Sequence, residues 1–199
     1  MTSAILDSAI LEKLDRQTEQ RLILRSVSWQ QYLSLDALSI DYPGLKLSYL
    51  EGVLEIMTLS PEHELLKKTI ARLLEIYAFA KRIDLHGFGS TTYRREIAAR
   101  GLEPDECYCI NQLKSVSDLA IEVVITSGGV DKLAIYQGLS VPEVWFWLDQ
   151  SLTVYQLTTS GYEVSQQSLL LPELDLGLLA QYIQPERQSE AVREFYALI

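Results

Sequence analysis

Hydrophobic and polar positions follow two different periods along this chain. Apolar and polar residues alternate within residues 45–58 on both sides of Glu51 and Gly52, which predicts two strands joined by a tight turn. Ser60 and Pro61 then open a segment in which apolar residues recur at steps of three and four, the period of an α-helix. The apolar stripe of this long helix consists of Leu66, Ile70, Leu73, Tyr77 and Ala80.

The second half of the chain predicts strands interrupted by one helix. A short helix is expected from about residue 130 to residue 137, with Gly138 as its end. The predicted strands are residues 91–97, 106–110, 118–125, 143–148, 152–157 and 162–165, and two further helices are predicted at residues 174–183 and 190–198. This order is typical of an α/β fold with a central mixed β-sheet flanked by helices.

The N-terminal part predicts helices that precede the hairpin. A polar helix is expected at residues 4–20, and Ser28 caps a second, short one. With 199 residues, the chain is long enough for one domain with a substantial core. We expect a helical extension at residues 1–44 packed on the core, the main domain at residues 45–183, and a C-terminal helix at residues 184–199.

Composition and charge narrow the class of protein. The apolar stretches are far shorter than the roughly 20 residues that span a bilayer, and no basic segment leads into an apolar one at the N-terminus. We therefore expect a cytoplasmic protein without a secretory signal. The net charge of −10 disfavours a nonspecific coat on nucleic acid, although a nuclease with local basic contacts remains compatible with it.

Glu122 is the most informative single residue, because it stands inside the apolar run of residues 119–125. A buried, unpaired carboxylate costs several kcal/mol, so Glu122 needs a cation, a proton or access to solvent. Lys132 follows ten residues later, at the start of the predicted short helix. Two interpretations stay open: Glu122 belongs to a catalytic site, or it forms a structural ion pair with Lys132.

A second acidic position, Asp105, follows a proline at the start of the neighbouring predicted strand. Two carboxylates on adjacent strands with one lysine nearby are what metal-assisted phosphodiester cleavage requires. Zinc does not fit, because the chain has only two histidines and neither has a cysteine at ligand spacing. A Pro-Asp pair at a strand start is also a common turn that carries no chemistry.

Further polar candidates lie on the long helix and on one strand. His63 shares the inward stripe of the helix, and Glu62 lies beside it; both also have ordinary structural explanations, as a core histidine and as an acid at a helix N-terminus. Residues 93–95 (Tyr-Arg-Arg) and Lys114 are candidate phosphate contacts, or simply solvated charges.

Six short segments, in this order, form a specific combination: residues 49–54, 60–64, 101–108, 118–123, 131–136 and 141–145. Together they resemble the Uma-two family of bacterial endonucleases, and the resemblance extends from residue 47 to residue 162. That family is placed in the restriction-endonuclease-like superfamily, so the resemblance implies the corresponding α/β core with a mixed sheet.

The usual signature of the superfamily is Pro-Asp followed later by Asp or Glu, any residue, and Lys. Pro104 and Asp105 match its first part and Glu122 its second, but Val124 stands where the lysine is usual. The resemblance implies that Lys132 takes the place of this lysine and orients water or neutralises phosphate charge. It also implies that Asp105 and Glu122 bind Mg²⁺ or Mn²⁺, that Glu62 is an outer ligand, and that His63 is accessory.

The resemblance implies DNA as the substrate, although no recognition helix, zinc finger or basic arm reads bases. A homodimer is also expected, because the aromatic strand at residues 144–147 carries more apolar area than one small sheet covers. Two other functions stay open. The chain is compatible with a catalytically silent module that binds a protein or nucleic acid, and with hydrolysis of a smaller phosphate ester.

Overall fold

A computed structural model of the protein describes residues 19–42, 44–126 and 128–199. The polar helix predicted for residues 4–20 lies outside the described residues, apart from its last two positions. No helix within these three described ranges is long and apolar enough to cross a membrane. Five α-helices are described: α1 (Trp29–Ser39), α2 (Pro61–Lys81), α3 (Lys132–Leu139), α4 (Leu176–Gln181) and α5 (Gln188–Tyr196).

The strands form two sheets instead of one. The first sheet is antiparallel, in the order β1 (Arg21–Leu24), β3 (Val53–Thr58), β2 (Leu45–Leu50), β6 (Arg100–Leu102) and β5 (Tyr93–Arg95). The second has the order β11 (Gly161–Ser165), β10 (Ser151–Thr158), β9 (Glu143–Leu148), β8 (Leu119–Val124), β7 (Glu106–Ile110) and β4 (Leu85–Gly87). The predicted α/β class with a mixed, helix-flanked sheet is confirmed, and the predicted hairpin is β2–β3 of the first sheet.

The second sheet separates two layers of core. β8 and β9 are parallel, so the chain must cross over between them, and α3 is that crossover. Because side chains alternate along a strand, Ala120 and Val144 point to the α3 side. Trp145 and Trp147 point to the opposite side and pack with residues of α2, α4 and α5.

The predicted end of the crossover helix at Gly138 is wrong. The helix continues to Leu139, and Ser140 ends it with a left-handed backbone, at φ 63°. Gly138 has a packing role instead, because a Cβ there would lie 2.4 Å from the Arg100 side chain. Arg100 crosses the helix at this point and donates from Nε to the carbonyl of Ala134 at 2.9 Å.

Residues 91–97 differ from the single strand that the pattern predicts. Only Tyr93–Arg95 is a strand, and a 3₁₀ turn, Glu96–Ala98, follows it. The short strands β4 and β6 were not predicted, because a three-residue strand is too brief to show alternation. β6 joins β2 to β5 and so completes the first sheet beside α3.

Candidate active site

Asp105 and Glu122 oppose each other across neighbouring strands. β7 and β8 are antiparallel with Glu106 opposite Ile121, so the register continued by one residue sets Asp105 opposite Glu122. Both carboxylates are buried, with 1% and 0% of the residue surface exposed. Like charges directly opposite each other destabilise a sheet, so this pair requires cations.

The ammonium of Lys46 joins the two carboxylates. Its Nζ lies 2.5 Å from Asp105 Oδ1 and 3.3 Å from Glu122 Oε2, and its side chain is 3% exposed. Asp105 and Glu122 thus approach one common point, as the sequence predicts. Lys46 belongs to β2 of the first sheet, so the site lies where the two sheets meet.

The first two turns of α3 supply the other partners of Glu122. Lys132 Nζ donates to Glu122 Oε2 at 2.7 Å, and the Tyr136 hydroxyl donates to Glu122 Oε1. Residues four apart lie on one face of a helix, which explains why both side chains reach the same carboxylate. Asp131 caps the helix by accepting from the Ala134 amide at 3.1 Å, and this fixes where the first turn begins.

His63 links Asp105 to a third carboxylate, that of Glu19. Its Nε2 lies 2.9 Å from Asp105 Oδ1, and its Nδ1 lies 3.2 Å from Glu19 Oε2. Burial alone would lower the pKa of His63, but hydrogen bonds to the two carboxylates outweigh it and raise this pKa to about 8. His63 is therefore an imidazolium between two acids at neutral pH.

Glu19 is itself held by three donors. Besides His63, the hydroxyl of Thr126 donates to it, and Arg21 Nη2 lies 2.9 Å from its Oε1. Burial by itself would raise the pKa of Glu19, but these hydrogen bonds outweigh burial and lower the pKa to about 2. Glu19 is thus ionised over the whole range in which His63 titrates, and it positions the imidazole from the side away from Asp105.

Asp105 is charged for a similar reason. Burial raises its pKa, but the nearby charge of Lys46 and the hydrogen bond from His63 together hold it well below its usual range. Its second oxygen, Oδ2, accepts from the backbone amide of Val123 at 2.7 Å. Lys46 keeps its proton as well, since attraction to Asp105 and Glu122 outweighs burial and raises its pKa.

The donor set fits a hard divalent cation. Asp105 and Glu122 already hold a cationic nitrogen between them, and oxygen ligands from one or two carboxylates are what Mg²⁺ takes, with water and phosphate for the rest. Over the described ranges, no three or more His, Cys, Asp and Glu side chains are grouped to hold a metal.

A cavity of about 280 Å³ is lined by Lys132, the partner of Glu122, but not by the two carboxylates themselves. Val124 also lies along it, at the position where the usual signature has lysine. Val124 and Glu122 share one strand face, and α3 covers that face. Lys132 on α3 therefore approaches Glu122 from the side on which a lysine at residue 124 would lie. Other lining residues are Arg21, Phe146 and Tyr155.

Several predicted residues lie outside this cluster. Glu62 is exposed at the start of α2, and no contact joins it to the carboxylate pair among the described residues. Three candidate phosphate contacts have partners within the chain: Arg94 pairs with Asp36, Arg95 Nη1 donates to the Gly138 carbonyl at 2.9 Å, and Lys114 Nζ lies 2.6 Å from Asp118.

Three members of the cluster escaped sequence reasoning. Tyr136 had a usable signal, because it lies four residues after Lys132 on a predicted helix. The pattern around Lys46 is misleading, since this lysine alternates with Leu45 and Leu47 as a solvent-facing strand residue would. Glu19 had none, because its contact with His63 joins distant parts of the chain.

Comparison with known proteins supports the resemblance in the sequence. A search of the curated proteins found no match. A family model described as "Putative restriction endonuclease" matches residues 29–184, which is well over half of the chain. The matched range contains both carboxylates, Lys46, His63 and all of α3. The chain therefore belongs to the Uma2 family of restriction-endonuclease-like proteins.

Proposed function

We propose that the protein is an endonuclease that hydrolyses phosphodiester bonds of DNA with the help of Mg²⁺ or Mn²⁺. Families of this kind typically use divalent metal ions. A bound divalent ion would supply Lewis-acid stabilisation of charge that develops on the phosphate. Asp105 and Glu122 are the residues that would hold it.

The remaining residues act through position and charge. Lys132 lies at the cavity, 8% exposed, and its ammonium donates to a phosphate oxygen or orients the attacking water. Tyr136 fixes the orientation of Glu122 through its hydroxyl. His63, an accessory residue, orients Asp105 and is oriented in turn by Glu19. Glu62 stays a proposed outer contact, reached only if substrate binds across the start of α2.

The observation that carries this proposal is the convergence of two buried carboxylates on one cationic nitrogen, with a lysine beside them at a cavity. A buried ion pair needs one acid and one base, whereas this arrangement gathers two acids from different strands at a single point. Burying two like charges costs free energy that a purely structural pair would avoid.

The test is cleavage of supercoiled plasmid with Mg²⁺ or Mn²⁺ by the wild-type chain and by Asp105→Asn. We expect nicked and linear DNA from the wild type, none from the variant, and loss of the metal-binding heat in calorimetry. Asp118→Asn is the matched control, since Asp118 is also a buried acid of the second sheet, paired with Lys114 outside the site. Equal loss in both variants would assign the effect to folding.

A catalytically silent binding module is the second candidate. It is favoured by internal charge compensation, because Lys46, Lys132 and protonated His63 together face Asp105, Glu122 and Glu19. The net charge of −10 favours it too. The wild-type chain would then give neither metal-binding heat nor cleavage at any metal concentration, while folding normally.

We also propose a homodimer, since a dimer would present one site to each strand of DNA. The apolar area of the aromatic strand no longer supports a dimer, because Trp145 and Trp147 are covered within the chain, 0% and 5% exposed. Light scattering distinguishes the states: a mass near 22.6 kDa identifies a monomer, and about twice this value a dimer. We also propose that the protein acts in the cytoplasm.

A further inference from the structure

Lys46 occupies the point at which the carboxylates of Asp105 and Glu122 converge. Its ammonium is within 3.3 Å of both, and its side chain is almost completely buried. The lysine that matches the mechanism is a different one, Lys132, which approaches Glu122 from α3. Lys46 is therefore a second lysine at the carboxylate pair, in addition to the one that the proposed mechanism uses.

The extra cation and a divalent ion need the same oxygens. All four carboxylate oxygens already accept a hydrogen bond from another group: Asp105 Oδ1 from His63, Asp105 Oδ2 from the Val123 amide, Glu122 Oε2 from Lys132 and Glu122 Oε1 from Tyr136. Among the described residues, Lys46 is the donor that the two carboxylates share, so its ammonium stands at the point where a metal held by both would lie. Two cations cannot occupy one such position, because their repulsion is strong in a buried site.

On the basis of the proposed function, we propose that Lys46 is a built-in counter-ion that a divalent cation must displace. In the metal-free protein its ammonium neutralises the carboxylate pair and keeps the site compact. Metal binding requires this ammonium to leave Asp105 and Glu122, while Lys132 remains beside Glu122. Metal affinity is thus set partly by residue 46, on a strand that contributes no metal ligand.

The surroundings of Lys46 allow this movement. Lysine has a flexible four-carbon stem, whereas the Lys132 contact is fixed by the first turn of α3. Glu103, two residues before Asp105, is only partly buried and forms no ion pair with a described residue. We assign it as the carboxylate toward which the displaced ammonium moves.

Calorimetric titration of the full chain with Mg²⁺ and Mn²⁺ tests the proposal in Lys46→Met. Methionine keeps most of the side-chain volume and removes the charge. Because the wild type must break charge-assisted hydrogen bonds before it binds metal, the variant should bind about ten- to a hundredfold more tightly. Affinity equal to or weaker than that of the wild type would overturn the proposal.

Lys67→Met is the matched control. Lys67 is also a buried lysine, 8% exposed against 3% for Lys46, but its ammonium pairs with Glu64 on α2, 2.7 Å away and outside the carboxylate pair. Its replacement removes the same charge from the protein and should leave metal affinity unchanged. A gain in affinity equal to that of Lys46→Met would mean that net charge, and not displacement, is responsible, and would overturn the proposal.

A measurement on the wild type covers the case in which Lys46→Met fails to fold. NMR of chain labelled with ¹⁵N in its lysine side chains detects buried ammonium groups directly. On titration with diamagnetic Mg²⁺, the Lys46 ammonium signal should shift or disappear in step with saturation, while the Lys132 signal persists. An unchanged Lys46 signal at saturation would overturn the proposal.

The failures of the two proposals differ in what is observed. Metal binding by the wild type with an unchanged Lys46 signal removes only the displacement, and Asp105 and Glu122 remain a metal site. Absence of metal-binding heat in the wild type and in folded Lys46→Met, with no change of any lysine signal, overturns both the displacement and the metal-dependent endonuclease.

Discussion

Two buried glutamates lie on adjacent parallel strands of the second sheet, and their partners differ completely. Glu122 on β8 faces α3 and is bound by Lys46, Lys132 and Tyr136. Glu143 on β9 is 1% exposed and accepts three hydrogen bonds from neutral donors. These donors are Trp145 Nε1 at 2.6 Å, Ser168 Oγ at 2.6 Å and the Leu169 amide at 2.9 Å.

The comparison separates a structural buried acid from a candidate functional one. Glu143 fastens the segment around Ser168 to the sheet, because its two oxygens accept from Trp145, Ser168 and the Leu169 amide, all of them neutral groups. Glu122 shares a cation with a second carboxylate, and its partner Lys132 lines a cavity. Burial in an apolar strand is common to both, so the partners, and not the burial, indicate chemistry.

The largest expected difference is in cleavage by Glu122→Gln and Glu143→Gln. Both changes replace a buried carboxylate by an amide of the same shape. Glu122→Gln should reduce plasmid cleavage by about 10³-fold or more, because it removes one of the two proposed metal ligands. Glu143→Gln should leave cleavage per folded molecule within about twofold of wild type. Comparable losses, normalised to the folded fraction by circular dichroism, would end the distinction between the two glutamates.

Lys132→Met should produce the next largest effect, a fall of about 10²-fold in single-turnover cleavage. The two proposed ligands, Asp105 and Glu122, are unchanged in this variant and Tyr136 still donates to Glu122, so metal binding should persist by calorimetry. Lys67→Met, at an equally buried lysine on α2, serves as control and should cleave normally. Normal cleavage by Lys132→Met would remove this lysine from the mechanism.

The free energy of unfolding should depend on pH through His63, which contacts Asp105 of the carboxylate pair. The pKa of His63 rises from 6.5 to about 8 on folding, so its contribution of about 2 kcal/mol is fully present below pH 6.5. It is lost as the pH rises through 8. Urea unfolding without metal, compared between wild type and His63→Gln, should show the two stabilities converging at high pH. A constant difference would contradict the assigned imidazolium.

The smallest expected effects come from removing one hydroxyl that donates to Glu122 and one that donates to Glu143. Tyr136→Phe and Ser168→Ala each delete a donor to a buried glutamate, at a cost of about 1–2 kcal/mol in the free energy of unfolding. Tyr136→Phe should also slow cleavage about tenfold, since Glu122 loses its orientation. Ser168→Ala should change stability alone, and slower cleavage by it would show that the two faces are coupled.

The sequence predicted elements wherever a period extends over several residues. The hairpin, the long helix after Ser60 and the strand containing Glu122 are confirmed, because alternation and the three-to-four step are local signals. The pairing of Asp105 with Glu122 was also predictable, since both stand in consecutive strand patterns. Short strands such as β6 carry too few residues to show any period.

What the sequence could not predict depends on packing between distant segments. Lys46 alternates with leucines as an exposed residue would, and only the second sheet, packed over that face, makes it a buried one. Gly138 indicated a helix end, but the space it leaves is filled by Arg100 from β6. In both cases the deciding neighbour lies far away along the chain, where no local pattern records it.

The parallel pairing of β8 and β9 has a consequence for the order in which the molecule assembles. The crossover β8–α3–β9 carries Glu122 and Lys132 only 10 residues apart, so their pair closes a short loop. Lys46 and Glu122 are separated by 76 residues, and their contact forms only when the two sheets dock. Contacts between residues so far apart in sequence form more slowly, so we expect docking to be a late step of folding. The acidic pair would then gain its second lysine last, and the sheets cannot separate again without breaking that contact.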